Sequence, residues 1–315
     1  MSPATQTRRG SDPFVHEALF YRGSDDFLTG TLRFVHAGLA LGEPVLVAVP
    51  GPRLEILRDA LDTDADLVRF ADMTEAGRNP GRILPWVLHA FAAEHPQGRV
   101  RVIGEPIWAG RSAVEYPACV QHEALINVVF AGRQATILCP YDVDQLTPDV
   151  IADAERTHPI LVTASDRRDS AGYTAPDQVV AAFNKPLPSP PQPAATLVFG
   201  VSELSGVRHF VVEHATVAGM RPERVIDLEM AVNEVATNSV AHTTGPGTLR
   251  VWSENDAVVC EVRDPGQFTN RLAGRVPPPP SSSRGRGLLL VNHVCDLVRL
   301  HTGPAGTTIR LHMGL

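Results

Sequence analysis

Lysine and clustered positive charge are almost absent from this sequence. Lys185 is the single lysine among 315 residues, and the formal net charge is -7. Binding to the phosphates of a nucleic acid requires a stripe of basic side chains. Because no such stripe is present, direct nucleic-acid binding is not expected.

Long apolar runs are missing as well, and the first eleven residues do not have the pattern expected of a secretory signal. A membrane-spanning helix needs about 20 consecutive apolar residues, and a secretory signal needs an apolar core followed by small residues. No membrane partner is expected, and the sequence predicts a cytoplasmic protein.

Paired cysteines are also lacking. The four cysteines, Cys119, Cys139, Cys260 and Cys295, form no Cys-x-x-Cys motif, and each has apolar neighbours. This pattern favours reduced, buried thiols and disfavours a disulfide framework or a zinc site.

A proline-rich segment marks a domain boundary. Residues 185–193 contain five prolines, which favour an extended, semi-rigid chain. The length of 315 residues is about twice that of a typical domain. We therefore predict a first domain over residues 12–183, a linker over 184–194 and a second domain over 195–315.

Helix-like and strand-like segments alternate before the linker. The predicted strands cover residues 45–49, 67–71, 100–103 and 135–139, and the predicted helices cover 25–41, 53–61, 82–93 and 113–130. This alternation is typical of an α/β domain with a mostly parallel sheet. Ligands of such folds bind beyond the carboxyl ends of the strands, a rule that selects Glu105, Tyr141 and Asp142.

The second domain has a different order of elements. A strand over 195–199 precedes helices over 203–218 and 224–240, and four strand-like pieces and one more helix follow. Two early helices followed by most of the strands predict an α+β domain.

Three polar residues line one face of the helix over 224–240 and its end. Glu234, Asn238 and His242 are four residues apart in turn, so their side chains project in nearly the same direction. The apolar residues of this helix occupy the rest of its circumference, and the polar face is therefore more than a solvated side.

Two glycine motifs follow this helix. Asp264-Pro265-Gly266 comes directly after the predicted strand 258–262, and Arg284-Gly285-Arg286-Gly287 precedes an apolar helix that begins at Leu288. Glycine allows a ligand to approach the backbone closely, and the start of a helix attracts phosphate through its free amides and its dipole.

The ordered set Glu-x-x-x-Asn-x-x-x-His, Asp-x-Gly, Gly-x-Gly-Leu and Thr307-Thr308 resembles the GHKL or Bergerat ATP-binding fold. Histidine kinases, gyrase and the anti-sigma-factor serine kinases share that fold. The compact size of these roughly 120 residues is most similar to the anti-sigma kinase branch of actinobacterial regulators. ATP and Mg²⁺ are the cofactors that this resemblance implies.

The resemblance also implies a role for each matching residue. It makes Asn238 the Mg²⁺ ligand, Asp264 the acceptor of the adenine amino group and Glu234 the general base that activates a protein serine. The other residues that it assigns to the ATP site are His242, Gly266, Gly285, Arg286, Gly287, Leu288 and Thr308.

Departures from the family pattern leave two alternatives open. Gln267-Phe268 replaces a second glycine of many relatives, and the expected lid, residues 267–284, contains a proline run and a serine run. A protein that binds a partner in a nucleotide-dependent way without transferring phosphate is the first alternative. A histidine-kinase-like ATPase is the second, although the proline-rich segment stands where the phosphoacceptor helix would lie.

Several segments of the first domain resemble the MEDS sensory family, whose layout is similar to that of RecA-like ATPases. They are residues 14–21, 38–48, 104–105, 122–125 and 138–141. Pro50-Gly51-Pro52-Arg53 stands where a phosphate-binding Walker A motif would be needed, so ATP hydrolysis is not expected there. The resemblance implies an unidentified small organic ligand, for which the candidate residues are His16, Glu105, Glu123, Tyr141 and His158.

Together these features predict a regulator that couples a sensory domain to an anti-sigma-type serine/threonine kinase. The resemblance implies a sigma factor, an anti-anti-sigma protein of the STAS type, or both as partners. The sequence leaves a homodimer open.

Overall fold

The computed structural model describes residues 13–279, 281–282 and 285–315. Two sheets organise these residues, one built before the proline-rich segment and one after it. The predicted first domain starts at residue 12 and the predicted lid includes residues 280, 283 and 284, which lie outside the described part.

The first sheet has the strand order β3-β2-β4-β5-β1-β6-β7. Its strands are β1 (Phe14–Tyr21), β2 (Val45–Val49), β3 (Val68–Asp72), β4 (Val100–Gly104), β5 (Ala135–Asp142), β6 (Ile160–Val162) and β7 (Arg167–Asp169). Neighbouring strands are parallel except for β6 and β7. The prediction of a mostly parallel α/β sheet is confirmed.

Helices cover both faces of this sheet. They are α1 (Gly23–Ala40), α2 (Gly51–Leu61), α3 (Met73–Ala76), α4 (Pro80–Arg82), α5 (His89–Glu94), α6 (Tyr116–Val129), α7 (Pro148–Thr157) and α8 (Pro176–Ala182). Alternate residues of β2 enter two apolar clusters, because successive strand side chains point to opposite faces. Val47 joins α1 and α2 in one cluster, and Leu46 joins α5 and α6 in the other.

The helix predicted over residues 82–93 is present, but most of its first half is π-helical rather than α-helical. A π-helical segment, Ile83–Leu88, separates α4 from α5. Pro85 lies inside it, and proline has no amide hydrogen and clashes with the preceding turn, so the regular bonding pattern is interrupted. Asn79 caps the start of α4 by accepting a hydrogen bond from the Gly81 amide at 3.0 Å.

Strand β1 was not predicted, although it lies between β5 and β6 near the middle of the sheet. Its sequence places His16 and Glu17 inside an apolar segment, and both are buried. The elements α7, α8, β6 and β7 were not predicted either. These buried polar residues interrupt the apolar pattern, so the sequence contains no clear strand signal for β1.

The second sheet is antiparallel, with the strand order β11-β12-β10-β9-β8. Its strands are β8 (Ala195–Phe199), β9 (Gly247–Glu254), β10 (Ala257–Asp264), β11 (Leu297–Gly303) and β12 (Gly306–Gly314), and its helices are α9 (Leu204–Val217), α10 (Pro222–His242) and α11 (Gly287–Val294). Apolar side chains of the helices and the sheet form one core, which includes Val211, Leu228 and Val262. None of the described helices is both long and apolar enough to cross a membrane.

Direct hydrogen bonds and ion pairs join the two halves of the chain. The Asn79 amide donates to the Asn292 carbonyl at 2.9 Å, and Arg78 pairs with Asp296 at 3.1 Å. Asn184 exchanges two hydrogen bonds with the backbone of Thr302, at 2.8 and 3.1 Å. The start of α4 and the end of α8 therefore contact α11 and β11 of the second half.

Candidate functional site

A cavity of about 1210 Å³ opens in the second half, between α10, the end of β10 and the start of α11. The polar residues predicted along α10 all line it: Glu234, Asn238 and His242. Pro222 at the first turn favours the start of this helix, and the helix is long enough to carry all three side chains to one wall.

A hydrogen-bond network holds the loop that follows β10. The Gly266 amide donates to Oδ1 of Asp264 at 2.8 Å, and the Thr307 hydroxyl donates to the Gly266 carbonyl at 2.8 Å. The hydroxyls of Thr302 and Thr307 share a hydrogen bond of 3.0 Å. These bonds fix the Asp264 carboxylate at the cavity wall, at the end of its strand.

Two glycines leave room where α11 begins. Gly285 has a positive φ of 88°, a conformation that favours glycine. A side chain at Gly287 would overlap the Glu234 carboxylate, and one at Gly266 would lie 2.5 Å from Cγ2 of Thr243. The cavity therefore contains a cradle of bare backbone at a helix start, as close approach of a phosphate group requires.

The predicted ATP residues lie together with one exception. Residues 266, 285, 286, 287 and 288 line the cavity, whereas Thr308 does not and Thr307 lines it instead. Strand pairing explains this correction, because Thr307 stands opposite Asp264 in the ladder and Thr308 stands opposite Arg263. Successive strand side chains point to opposite faces, so only one of the two threonines can face the Asp264 side.

Several wall residues were missed from the sequence, among them Ser239, Thr243 and Phe268. Ser239 follows Asn238 directly, and Thr243 follows His242 at the end of α10. Phe268 had been noted only as a replacement for glycine, but its amide donates to the Thr302 hydroxyl at 2.9 Å. The signal for Phe268 was its position two residues after Gly266.

A second cavity, of about 360 Å³, lies between the two halves of the chain. Gln121, Leu125 and Asn184 contribute from the first half, and Phe268 and Asn292 contribute from the second. Phe268 belongs to the walls of both cavities, as do Thr269, Ala273, Leu288 and Ile309, so the two cavities are neighbours.

Four of the five predicted sensory residues meet in the first half. Oε2 of Glu123 lies 3.3 Å from Nε2 of His16 and 3.4 Å from Nε2 of His158, and the Tyr141 hydroxyl donates to Oε1 of Glu123 at 3.3 Å. Cys139 joins them, with its Sγ 3.5 Å from both His16 Nε2 and Glu123 Oε2. The sequence had placed Cys139 only among packing cysteines.

All members of this cluster are buried, and none lines either cavity described above. Burial lowers the pKa of His16 to about 4 and raises the pKa of the Cys139 thiol and the Tyr141 hydroxyl. The imidazole of His16 is therefore neutral at physiological pH, and the cluster is a closed site rather than an open pocket.

Glu105, the fifth predicted sensory residue, lies in a separate ionic group. Arg53 pairs with its carboxylate and also with Asp142, the latter at 3.1 Å. Burial raises the pKa of Glu105 to about 8, and the nearby Asp142 carboxylate acts in the same direction, whereas Arg53 opposes both. Glu105 and Asp142 do lie at the carboxyl ends of their strands, as the rule for α/β folds predicts.

Comparisons with known proteins divide the chain in the same way. Residues 15–159 match the family described as MEthanogen/methylotroph, DcmR Sensory domain (MEDS), and residues 200–313 match the family described as histidine kinase-like ATPase domain. No match was found among curated proteins.

Among solved structures, the chain is similar to the RsbU and RsbW domains of Rv1364c from Mycobacterium tuberculosis, at 16% sequence identity and a TM-score of 0.30. The similarity covers 65% of this chain and 49% of that one, so the chain spans about half the length of that structure.

Proposed function

Since residues 15–159 form a MEDS sensory domain and residues 200–313 form a histidine kinase-like ATPase domain, we propose that the protein is a regulator in which the sensory domain controls an ATP-dependent serine/threonine kinase. One observation carries this proposal. Glu234, Asn238, Asp264 and Gly287 come from three separate elements, yet all line a single cavity.

The cavity is large enough for ATP. The cavity volume of about 1210 Å³ exceeds the range of about 300–1,000 Å³ that is usual for small-molecule sites. The Asp264 carboxylate, fixed by the Gly266 amide, is suited to accept the adenine amino group. Asn238 would hold Mg²⁺, and the bare backbone at Gly285 and Gly287 would face the phosphates.

Bound ATP supplies the phosphoryl group, and its Mg²⁺ neutralises phosphate charge. Glu234 is half-buried and lies against Gly287, next to the helix start that faces the phosphates in this proposal. From there its carboxylate would accept the proton of a serine or threonine hydroxyl on a protein substrate. His242 and Arg286, both exposed at the cavity, would orient the phosphate side.

A sigma factor and an anti-anti-sigma protein of the STAS type are the proposed partners, on the strength of the ordered motifs from Glu234 to Gly287. A small organic ligand of the first domain would set the activity. Domain bounds of 12–183 and 195–315, joined by residues 184–194, complete this proposal.

Transfer of labelled phosphate from ATP to candidate STAS-type proteins tests the kinase. Asn238→Ala should reduce transfer to background, because it removes the proposed Mg²⁺ ligand. Thr237→Ala is the matched control, since Thr237 is the exposed neighbour on the same helix and does not line the cavity. Equal transfer by wild type and Asn238→Ala would refute the kinase.

A second candidate function is nucleotide-dependent binding without phosphate transfer. Phe268 favours it, because a bulky side chain stands in the cavity wall where many relatives have glycine and its backbone is held by Thr302. Under this alternative, Glu234→Gln leaves ATP-dependent capture of the partner intact. Calorimetry on Asp264→Ala tests both functions, since ATP binding that survives this change would contradict each of them.

A further inference from the structure

The cluster in the first domain brings together four side chains from four elements. His16 lies on β1, Cys139 on β5, Glu123 on α6, and His158 directly after α7. One potential metal-ligating atom from each lies within 4.8 Å of the other three. His16 and Cys139 are on the same sheet face, because His16 is two residues from Ala18, the register partner of Cys139.

Hydrogen bonds on the outer side determine which nitrogen of each imidazole carries hydrogen. Nδ1 of His158 lies 2.8 Å from the Ala154 carbonyl, which can only accept, so Nδ1 donates. Asn127 donates its amide hydrogen to the Thr157 carbonyl at 2.8 Å, which turns its Oδ1 toward Nδ1 of His16 at 3.1 Å. With hydrogen on Nδ1, each ring can present the lone pair of Nε2 to the centre.

The Nε2 atoms of both rings face the carboxylate of Glu123. Nε2 of each ring lies 3.3–3.4 Å from the same carboxylate oxygen of Glu123, and Nε2 of His158 makes no hydrogen bond within the described residues. Four side chains that can each donate an electron pair to a metal ion thus converge in a buried space. A cation at the centre would be bound by all four.

Four of the six distances between the ligand atoms agree with a tetrahedral ion, and all six are at most 4.8 Å. Zinc bonds to nitrogen, oxygen and sulfur of about 2.0–2.3 Å place the ligand atoms roughly 3.3–3.7 Å apart at tetrahedral angles. The distances from Glu123 Oε2 to the two imidazoles and to Cys139 Sγ, and from that sulfur to His16 Nε2, are 3.3, 3.4, 3.5 and 3.5 Å. Ordinary hydrogen bonds to ring nitrogen are shorter, about 2.7–3.2 Å.

Charge also balances at this site. A divalent ion with one carboxylate, one thiolate and two neutral imidazoles has no net charge, which suits four side chains that are all buried. The Cys139 thiol releases its proton to solvent when the metal binds.

We propose that His16, Glu123, Cys139 and His158 bind one zinc ion. With four protein ligands and no open position, the ion ties β1, β5, α6 and the segment after α7 together as a structural centre. Asn127 and Ala154 are the outer partners that orient the two imidazoles. The expectation against a zinc site rested on cysteine spacing and on the apolar neighbours of each cysteine, and these ligands are too far apart in sequence to form a spacing motif.

Elemental analysis of the full chain, purified with a histidine-free tag and without chelator, tests the site. We expect about one zinc per chain in wild type and a loss of at least about tenfold in Cys139→Ser. Cys119→Ser is the matched control, because Cys119 is equally buried and lies outside the cluster. Equal zinc content in both variants would overturn the site, and one equivalent of iron or copper in wild type would overturn the assignment to zinc.

Cobalt substitution keeps the test decisive if Cys139→Ser does not fold. Wild type stripped of metal and refolded with Co²⁺ should show thiolate-to-cobalt charge transfer in the near ultraviolet and the intense visible bands of a tetrahedral ion. Cys119→Ser should give the same spectrum. A wild-type protein that contains no transition metal and takes up no cobalt contradicts the proposal whatever the behaviour of the variants.

Discussion

At the scale of single residues, the missing side chain of Gly287 keeps space open beside Glu234. A methyl group there would meet the end of a flexible carboxylate rather than backbone, so the second domain can fold around it by moving Glu234. A substitution at Gly287 is therefore expected to change the cavity without preventing the domain from folding.

Gly287→Ala should leave the fold intact and reduce phosphate transfer by about 100-fold, because a displacement of about 1 Å in a reacting group has effects of this size. Steady-state transfer assays and thermal melting measure the two effects. Gly206→Ala on α9 is the control, since an added methyl there meets no atom within 4 Å. Unchanged transfer by Gly287→Ala would remove the proposed role of Glu234.

Glu105 makes the stability of the protein depend on pH. Its pKa rises from an ordinary 4.5 to about 8 on folding, with burial as the largest cause. Between these values the unfolded chain has lost the proton that the folded chain keeps, so this contribution to stability falls as pH rises, by at most about 1.4 kcal/mol per pH unit.

Glu105→Gln should remove this dependence. The difference in unfolding free energy between variant and wild type should increasingly favour the variant from about pH 5 to pH 8, as urea unfolding at several pH values would measure. Other titrating groups, such as His16, affect both proteins alike and cancel in the difference. A difference that does not vary with pH would contradict the raised pKa.

At the scale of elements, predictability followed the kind of signal each segment carries. Apolar runs located β2 and β8 to the residue, and the four-residue spacing on α10 located one wall of the cavity. The form of the helix after Asn79 depended on Pro85, and β1 was concealed by buried polar residues. Thr308 was predicted in place of Thr307, because the sequence does not contain the strand register. That register, which points Thr307 toward Asp264, is set by the tertiary structure.

Helix α6 carries both a proposed zinc ligand, Glu123, and the residue that orients another ligand, Asn127, one turn later. Asn127→Ala should weaken metal affinity by about 10–100-fold, because it releases the imidazole of His16. Competition with a chromophoric chelator measures this change. Val128→Ala, an exposed change on the same helix, should leave the affinity as in wild type, and similar weakening in both variants would point to a general loss of helix stability.

At the scale of the whole molecule, the contact between α4 and α11 joins the two domains at a buried position. Asn79 is fully buried, and its amide bonds to the Asn292 backbone, while the Asn292 side chain donates to the Gly274 carbonyl at 3.0 Å. Gly274 belongs to the loop between Asp264 and Gly285, which lines the larger cavity in part. The Asn79 amide also donates to the Asn292 side-chain oxygen at 3.3 Å, so the Asn292 side chain contacts both the first domain and the loop.

Asn79→Ala should uncouple the domains. It leaves buried polar groups without a partner, at a cost of about 1–3 kcal/mol, and we expect one calorimetric unfolding transition of wild type to separate into two. Asn233→Ala is the control, because Asn233 bonds to Arg208 within the second domain. A single transition at the wild-type position in Asn79→Ala would show that this contact does not couple the domains.

The shared Asn292 amide has a consequence for how such a sensor reports. Coupling between two sites is reciprocal: if occupancy of the first domain changes the affinity for ATP by some factor, ATP changes the affinity of the first domain by the same factor. Under the proposed function, the concentration of ligand that half-occupies the first domain would therefore depend on the concentration of ATP.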